Sequence, residues 1–352
     1  MPAVEDLIDR EGLADVLEDA LGPADTYDVE YHDRGFSNET LFVTWGESDL
    51  VLRRPPPGET ADTAHDVLRE HTVMDALAGT DVPVPNTVAA IEDAAVIGAP
   101  FYVMERLPGD VMRFGELERF SEPEHRRAVG TETVDTLAAI HTVDLEAAGL
   151  ADFGSPEGFT ERQVERWRGQ FEWAFERTAD VRTVPAIEEV GDWLAANVPE
   201  EHEHTLVHGD YKLDNVIFAP GTPPVISGVL DWEMATLGDP LCDLGWLLFF
   251  WPEQADLEDA IMQVFAPTFL ASPDYHSRAE LLERYVDKTG FAVEDTQFYR
   301  VLAVYKMAAL GEMFFARYVE GHSDSSFYAM MEDGVPMLAD QALAVADGER
   351  PL

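Results

Sequence analysis

The chain has 352 residues, of which 46% are hydrophobic, so a folded protein of two lobes or two domains is expected. Its single cysteine excludes an intramolecular disulfide and a cysteine-based zinc site. Acidic residues number 69 against 23 lysines and arginines, and the resulting formal net charge of −46 repels nucleic acid and anionic membranes, so neither is expected as a partner.

No run of residues approaches the roughly 20 apolar positions of a membrane-spanning helix. The N-terminal segment is acidic and lacks the basic-then-apolar pattern of an export signal, so a cytoplasmic protein is predicted. Acidic residues are dispersed along the chain, while lysine occurs only at positions 212, 288 and 306. This pattern favours adaptation to a salt-rich cytoplasm, where screening shortens the range of repulsion. An ordinary acidic protein is the alternative interpretation.

The first hundred residues predict an amphipathic helix followed by strands with one internal helix. Leucines at positions 7, 13, 17 and 21 are spaced for one helical face within residues 1–25. The strands are β-rich runs bounded by glycine or proline, and the internal helix has periodic apolar positions. In chain order, these elements are the strands Glu39–Trp45 and Asp49–Arg53, the helix Thr60–Leu77, and the strands Thr87–Ile91 and Phe101–Glu105.

From about residue 120 the pattern becomes mostly helical, with one β-rich island. The helices are predicted at 123–141, 160–178, 185–197, 239–250, 254–270, 278–289, 295–320 and 326–346. The island comprises strands at 204–207, 215–218 and 225–230, and a turn at 221–224 makes the last two a hairpin. The predicted fold class is therefore α+β, with a small β-rich lobe over residues 1–106 and a larger, mostly helical lobe over residues 107–352.

The most informative motif is HGDYKLDN, residues 208–215, which lies between two predicted strands. Asp210 and Asn215 show the Asp-x-x-x-x-Asn spacing of kinase catalytic loops. Phosphoryl transfer needs a carboxylate to accept the hydroxyl proton and an amide oxygen to ligate magnesium nearby. Asp231, at the end of the next hairpin strand, brings a second carboxylate towards the same site. A chance match among many aspartates is the alternative, and the joint pattern argues against it.

The pattern HGD-x4-N, followed by hydrophobic-Asp-x6-Gly-Asp-Pro-x2-Asp-Leu, resembles the aminoglycoside phosphotransferase / choline kinase-like superfamily. The chain looks most like the kinase-like branch that also occurs fused to acyl-CoA dehydrogenases. The resemblance covers nearly the whole chain and implies a protein-kinase-like two-lobed fold, with ATP and magnesium as cofactors and a small-molecule hydroxyl as acceptor. The segments that fit this branch are RGFSNET, VLRRPP, APFYVMERLPG, HGDYKLDNVIF and VLDWEMATLGDPLCDLGW.

The resemblance implies roles for five residues of the two motifs. Asp210 would be the catalytic base, and Asn215 and Asp231 would hold magnesium. His208 and Asp243 would brace the catalytic loop through hydrogen bonds.

The same resemblance implies cofactor-binding positions elsewhere. Glu105 and Leu107 belong to a hinge, residues 104–107, whose backbone would meet adenine. Ser37 and Asn38 would cover the phosphates, although this loop holds one glycine and alone predicts only a turn. Lys212 is either a γ-phosphate contact or a solvated lysine.

Arg53 is predicted to replace the usual ATP-binding lysine. No lysine precedes residue 212, so none can serve the first lobe. The strand Asp49–Arg53 ends on an arginine, whose guanidinium binds phosphate bidentately and keeps its charge. Strand alternation turns Arg54 to the opposite face. Glu70, on the following helix, is the predicted partner of Arg53, and a surface salt bridge is the alternative interpretation.

These observations predict an ATP- and magnesium-dependent phosphotransferase acting on a hydroxyl of a small metabolite, with a hydroxyacyl-CoA among the candidates. The alternative from a different class is a pseudokinase that binds nucleotide without transfer, which the absent lysine favours. Aminoglycoside resistance is the less favoured kinase activity, because any polycation would suit so acidic a protein.

Overall fold

The computed structural model describes residues 3–32, 38–57, 67–200, 203–350 and 352. Its strands are β1 (Tyr27–His32), β2 (Glu39–Trp45), β3 (Ser48–Arg54), β4 (Thr87–Ile91), β5 (Phe101–Glu105), β6 (Thr205–Val207), β7 (Val216–Phe218), β8 (Ile226–Val229) and β9 (Thr236–Gly238). Its helices are α1 (Val4–Leu7), α2 (Arg10–Leu21), α3 (Val67–Leu77), α4 (Pro123–His141), α5 (Phe159–Thr178), α6 (Pro185–Ala196), α7 (Pro240–Phe249), α8 (Met262–Phe265), α9 (Arg278–Thr289), α10 (Thr296–Val319), α11 (Ser326–Ala329) and α12 (Met331–Ala346).

The first lobe is built on an antiparallel five-stranded sheet with the order β1-β2-β3-β5-β4. Side chains alternate between its faces because successive strand residues point in opposite directions. On β3, Leu50 and Leu52 pack with α1 and α2, while Val51 belongs to the core on the other face. Arg53 lies opposite Tyr102 of β5 in the strand register. The predicted alternation of this strand is therefore confirmed.

Helices cover both faces of the sheet. Leu7, Leu13 and Leu17 are buried on one face, as their spacing predicted, whereas Leu21 is 44% exposed because α2 ends there, at Gly22. On the other face, α3 packs against β4 and β5. The predicted helix Thr60–Leu77 is present over its described part, Val67–Leu77, and positions 60–66 lie outside the described residues.

The second lobe is mostly helical and contributes most of the larger core, which also includes Val51 of β3 and the buried residues of α3. Its central helix, α10, packs against α5, α7 and α12. Two short ribbons interrupt the helices, β6 with β9 and β7 with β8, and both are antiparallel. The β7–β8 ribbon is the predicted hairpin. Among the described residues, no helix combines the length and the apolar composition that a bilayer crossing needs.

Some predicted elements differ from the structure. The helix predicted over 254–270 is instead a 3-10 turn at Gln254–Glu258, the short α8, and a second 3-10 turn at Thr268–Ala271, because Pro267 stops helical continuation. The predicted helix 326–346 divides into α11 and α12 at Met330. Strands β1 and β9 were not predicted; β1 has only Val29 buried, so its sequence shows little alternation.

Candidate active site

A cleft of about 590 Å³ lies between the five-stranded sheet and the β7–β8 ribbon. Both lobes contribute to it. From the first lobe come Asn38, Thr40, Phe42, Val51, Arg53, Glu70, Met74, Tyr102, Met104, Glu105 and Arg106, and from the second come Leu107, Gly109, Asp110, Val111, Arg113, Asp214, Asn215, Ile217, Leu230 and Asp231. Most of the predicted nucleotide and metal positions therefore meet in one cavity.

Asp210 lies on the loop that follows β6, residues 208–215, which is the predicted catalytic loop. Its carboxylate is held from three sides. The indole Nε1–H of Trp246 donates to Oδ1 over 2.8 Å. The amide nitrogen of Asn215 donates to Oδ2 over 2.9 Å, and the ammonium of Lys212 contacts the same oxygen. The side chain keeps 22% exposure. The carboxylate is thus fixed in orientation while remaining open on one side.

The surrounding charges keep Asp210 ionised. Burial alone raises the pKa of its carboxyl, but the ammonium groups of Lys212 and Lys306 hold that pKa below the ordinary value. Lys212 thus pairs with the predicted base, and neither of the two predicted alternatives for it included this contact. An ionised, oriented carboxylate can accept a proton from a hydroxyl group at neutral pH.

His208 and Asp243 tie the catalytic loop to the rest of the lobe, in the bracing arrangement that was predicted. Asp243, on α7, accepts hydrogen bonds from the backbone nitrogens of His208 and Gly209 over 2.6 and 2.8 Å. The His208 ring lies 2.9 Å from the carbonyl oxygen of Leu230. Burial lowers the pKa of His208, so the ring is neutral at neutral pH. Burial raises the pKa of Asp243, but its contacts with His141 and His208 together outweigh this and the net pKa is lowered.

Asn215 and Asp231 are brought together by a backbone hydrogen bond of 2.8 Å from Leu230 to the carbonyl of Asn215. Asp231 has a φ of +67°, a left-handed conformation that aspartate tolerates better than most residues. Its Oδ1 is buried and has no hydrogen-bond partner among the described residues. Because the Asn215 nitrogen is committed to Asp210, its oxygen is left for another partner. Carboxylate and amide oxygens of this kind fit magnesium.

A further carboxylate, that of Glu233, lies beside these residues and was not predicted from the sequence. One oxygen each of Glu70, Asp231 and Glu233 falls within 4.8 Å of the others. Glu233 follows Asp231 in a 3-10 turn at Trp232–Met234. Its position two residues after the predicted metal ligand was the only signal in the sequence. That signal is weak because acidic residues are common throughout this chain.

Arg53 and Glu70 form a buried pair, so the alternative of a surface salt bridge is excluded. The Arg53 guanidinium lies 3.3 Å from Glu70 and 3.6 Å from Asp231. Glu70 also accepts from Asn38 and from the Tyr102 hydroxyl, each over 3.0 Å, and is 1% exposed. Burial lowers the pKa of Arg53, but Glu70 and the other nearby acidic groups raise it above its ordinary value. The cation therefore stays charged inside the cleft.

Arg54 points away from the cleft. Its guanidinium donates to the carbonyls of Pro55, over 3.0 Å, and Leu7, and so ties β3 to α1. The two adjacent arginines thus have separate tasks on opposite faces of one sheet.

The predicted hinge residues Glu105 and Leu107 both line the cleft. Asn86 donates its side-chain amide to the Glu105 carboxylate over 2.7 Å. Leu107 packs so closely over Gly228 that a Cβ there would lie 2.2 Å from its Cδ1. The hinge is therefore held by Asn86, just before β4, on one side and by the β7–β8 ribbon on the other.

Some site residues were placed differently or missed. Ser37 lies outside the described residues, whereas Asn38 is buried in the cleft against Glu70. Trp246 and Lys306, which contact the catalytic loop, were not predicted because they lie 36 and 97 residues along the chain from their partners. The scarcity of lysine was the one sequence signal that pointed to Lys306.

A profile described as "Phosphotransferase enzyme family" matches residues 28–281. The chain belongs to this family. Mouse acyl-CoA dehydrogenase family member 10 is 33% identical over 324 residues, which cover 91% of this chain but 29% of that protein. The chain thus spans less than a third of this relative's length.

Solved structures agree with the phosphotransferase family. A protein from Ralstonia eutropha, described provisionally as an aminoglycoside phosphotransferase, is 32% identical, with a TM-score of 0.83, and the match covers 97% of this chain and 99% of that one. At 16% identity and a TM-score of 0.60, the fold recurs in a mutant of aminoglycoside phosphotransferase APH(4)-Ia bound to AMP-PNP and hygromycin B, with 97% and 99% coverage. The predicted kinase-like fold, with a β-rich lobe and a mostly helical remainder, is confirmed.

Proposed function

We propose that this phosphotransferase transfers the γ-phosphoryl group of ATP to a hydroxyl of a small metabolite, with magnesium as cofactor. The observation that carries the proposal is the single constellation around the cleft. It combines an ionised, oriented Asp210, the neighbouring oxygens of Asn215 and Asp231, and the buried cation Arg53. Fold relatives bound to AMP-PNP and to GDP support a nucleotide as the phosphoryl donor.

Asp210 is proposed to act as the general base. Its carboxylate accepts the proton of the acceptor hydroxyl as that oxygen bonds to the γ-phosphorus, and the bond from phosphorus to the bridging oxygen of ADP breaks. Trp246 and Asn215 fix the carboxylate through one hydrogen bond to each oxygen, so little reorientation is needed. General-base assistance of this kind contributes about 10²- to 10⁴-fold.

Asn215 and Asp231 are proposed to hold magnesium. Magnesium, when bound, supplies positive charge that neutralises the nucleotide phosphates. The fit rests on the amide orientation of Asn215 and on the buried Oδ1 of Asp231, which accepts no hydrogen bond and lies 3.6 Å from the Arg53 guanidinium. The left-handed backbone conformation of Asp231 is sparsely populated, and such conformations cluster at functional sites.

The nucleotide is proposed to lie along the first lobe, residues 1–106, with Arg53 on its phosphates. Glu70 holds the guanidinium in place, and Asn38 holds Glu70. The backbone at Glu105 and Leu107 is proposed to meet adenine. The acceptor is then expected on the side of the second lobe, residues 107–352. The relative is named as an acyl-CoA dehydrogenase family member, so a hydroxyacyl-CoA is our first candidate for the acceptor.

The test compares Asp210→Asn with the unchanged protein across a panel of hydroxy compounds that includes hydroxyacyl-CoAs. The variant keeps the shape of the side chain but loses its basicity, so phosphoryl transfer should fall at least about a hundredfold. Nucleotide affinity, measured by titration calorimetry, should change by less than about threefold because Asp210 does not line the nucleotide cleft. Transfer by Asp210→Asn at the rate of the unchanged protein would refute the mechanism.

The competing function is nucleotide binding without transfer. The arginine in place of the usual lysine favours it, whereas the oriented Asp210 beside two oxygen ligands opposes it. Nucleotide binding with no transfer to any acceptor and no ATP hydrolysis would support this second function.

A further inference from the structure

Lys306 is a buried lysine on α10 that contacts the backbone of the catalytic loop. It is one of only three lysines in the chain and is 9% exposed. Its ammonium donates to the carbonyl oxygen of Gly209 over 2.6 Å. The same ammonium lies 3.8 Å from the ring centroid of Trp246 and 5.4 Å from that of Trp167.

Trp246, on α7, completes a second connection to the same loop. It is 3% exposed, and its Nε1–H donates to Oδ1 of Asp210 over 2.8 Å. Lys306 therefore holds the backbone of one loop residue, and Trp246 holds the side chain of the next. The ammonium on the indole face joins the two connections, because a cation is attracted to an aromatic ring at this distance.

We propose that Lys306 and Trp246 are positioning residues that together set the orientation of the Asp210 carboxylate. The inference rests on the proposed function, in which Asp210 is the base. Neither residue lines the cleft described above, so both act through the loop and not on the nucleotide. An apolar residue at position 306 would fill the space at lower desolvation cost but could not donate to Gly209.

The charge of Lys306 responds to pH near neutrality. Burial lowers the pKa of its ammonium to about 8, although Asp210 and Asp243 oppose this effect. The ammonium is therefore lost as pH rises through about 8, and its electrostatic hold on the loop weakens with it. The titratable groups that face Lys306 are Asp210 and Lys212 on the loop, Cys242 and Asp243 on α7, and Arg166 on α5.

The first test separates positioning from binding. Lys306→Met should lower kcat by about tenfold to a hundredfold, the scale of a misplaced reacting group, with the nucleotide KM changed less than about twofold. Lys306→Arg keeps a cationic donor, so it should recover most of kcat at pH 7 and should lose any decline near pH 8. Trp246→Phe retains the ring but removes the donor to Asp210, and it should lower kcat by about tenfold.

Lys288→Met is the matched control. Lys288 is 46% exposed and pairs with Asp135 on the surface over 2.8 Å, so its removal should leave kcat and the pH profile unchanged. The proposal is overturned when Lys306→Met and Trp246→Phe both behave like Lys288→Met. It is also overturned when Lys306→Met loses nucleotide binding and kcat in equal measure, because that pattern reports general damage.

A second measurement does not depend on turnover. With three lysines, a protein labelled with ¹⁵N at lysine Nζ gives three ammonium signals, which single lysine variants assign. The Lys306 signal should titrate near pH 8, and Asp210→Asn should lower its midpoint further because a neighbouring negative charge is removed. If Asp210→Asn leaves the midpoint of the Lys306 signal unchanged, the inference is refuted even when the protein transfers phosphate. A coupled signal in a protein without turnover supports the positioning and refutes only the proposed function.

Discussion

Arg53 is the residue at which three parts of the site meet. Its guanidinium lies between Glu70 of α3 and Asp231 after β8, so it faces both the first lobe and the proposed metal position. We expect Arg53→Ala to raise the nucleotide KM about tenfold or more and to lower kcat, because the proposed phosphate-binding cation is lost. Arg53→Lys should recover only part of this, since an ammonium lacks the two-pronged geometry. Steady-state kinetics with varied ATP measure both effects.

Arg54→Ala is the matched control for Arg53→Ala. Arg54 binds carbonyls of Pro55 and Leu7 on the opposite face, so its loss should reduce thermal stability and leave the nucleotide KM within about twofold. The assignment of the phosphate-binding cation is wrong if Arg54→Ala, and not Arg53→Ala, raises the KM.

Asp231 calls for a substitution that respects its backbone. Asn tolerates the left-handed conformation at φ +67°, whereas Ala adds strain that would confuse the result. We therefore expect Asp231→Asn to fold normally and to reduce the gain in nucleotide affinity that magnesium produces, by about tenfold, since a charged ligand becomes a neutral one. Calorimetric titrations with and without magnesium check this. An unchanged magnesium effect would remove Asp231 from the metal site.

Helix α3 is fastened to the second lobe by Arg69, the residue before Glu70. The guanidinium donates to the carbonyls of Ala235, over 2.9 and 3.1 Å, and Phe153, over 3.2 Å. It also lies 3.9 Å from the ring centroid of Phe153. These contacts fix the distance between α3 and the segment that carries Asp231. The position of the Arg53–Glu70 pair relative to Asp231, the proposed metal ligand, therefore depends on them.

We expect Arg69→Met to lower both stability and kcat. Loss of donors to partly buried carbonyls costs about 1 to 3 kcal/mol, which a denaturant titration measures. The kcat should fall by about threefold to tenfold because Glu70 moves with the helix. Arg69→Lys should recover little, since an ammonium cannot serve both carbonyls from one plane. Full activity in Arg69→Met would show that α3 is held in place by its apolar contacts alone.

Helices whose ends carry strong local sequence signals were predictable. The boundaries predicted for α4 and α9 match, because proline begins α4 and a Ser277–Glu280 capping box begins α9, which ends before Gly290. The region 254–271 was not predictable, because its apolar residues imitate a helix while Asp256 and Pro267 favour short turns. Local sequence patterns indicate the intrinsic preference for helix or strand, and tertiary packing can override that preference.

The candidate site likewise has features that the local sequence predicts and others that only the fold reveals. The spacing of Asp210 and Asn215 and the alternation of β3 are local, so sequence alone placed them. The roles of Trp246, Lys306 and Arg69 depend on partners far along the chain, and only the fold brings these together. Long-range hydrogen bonds leave no periodic trace in a single sequence.

The net charge acts on the molecule as a whole. The 69 acidic residues exceed the 23 basic ones by 46, and much of the basic complement is already paired, as in Arg284 and Lys288 with Asp135. The excess carboxylates repel one another and oppose compaction. At about 0.1 M salt the screening length is about 10 Å, and at 1 M it falls to about 3 Å. Repulsion between neighbouring surface carboxylates is therefore strong in dilute buffer and weak in concentrated salt.

We accordingly expect the melting temperature to rise steeply with KCl and cooperative folding to need molar salt. Circular dichroism melts in KCl from about 0.05 to 3 M measure this, with sucrose as the control. Sucrose stabilises compact states by exclusion but does not screen charge, so it should replace only a small part of the KCl effect. Cooperative unfolding at one temperature across the whole KCl range would contradict the assignment of a salt-adapted protein.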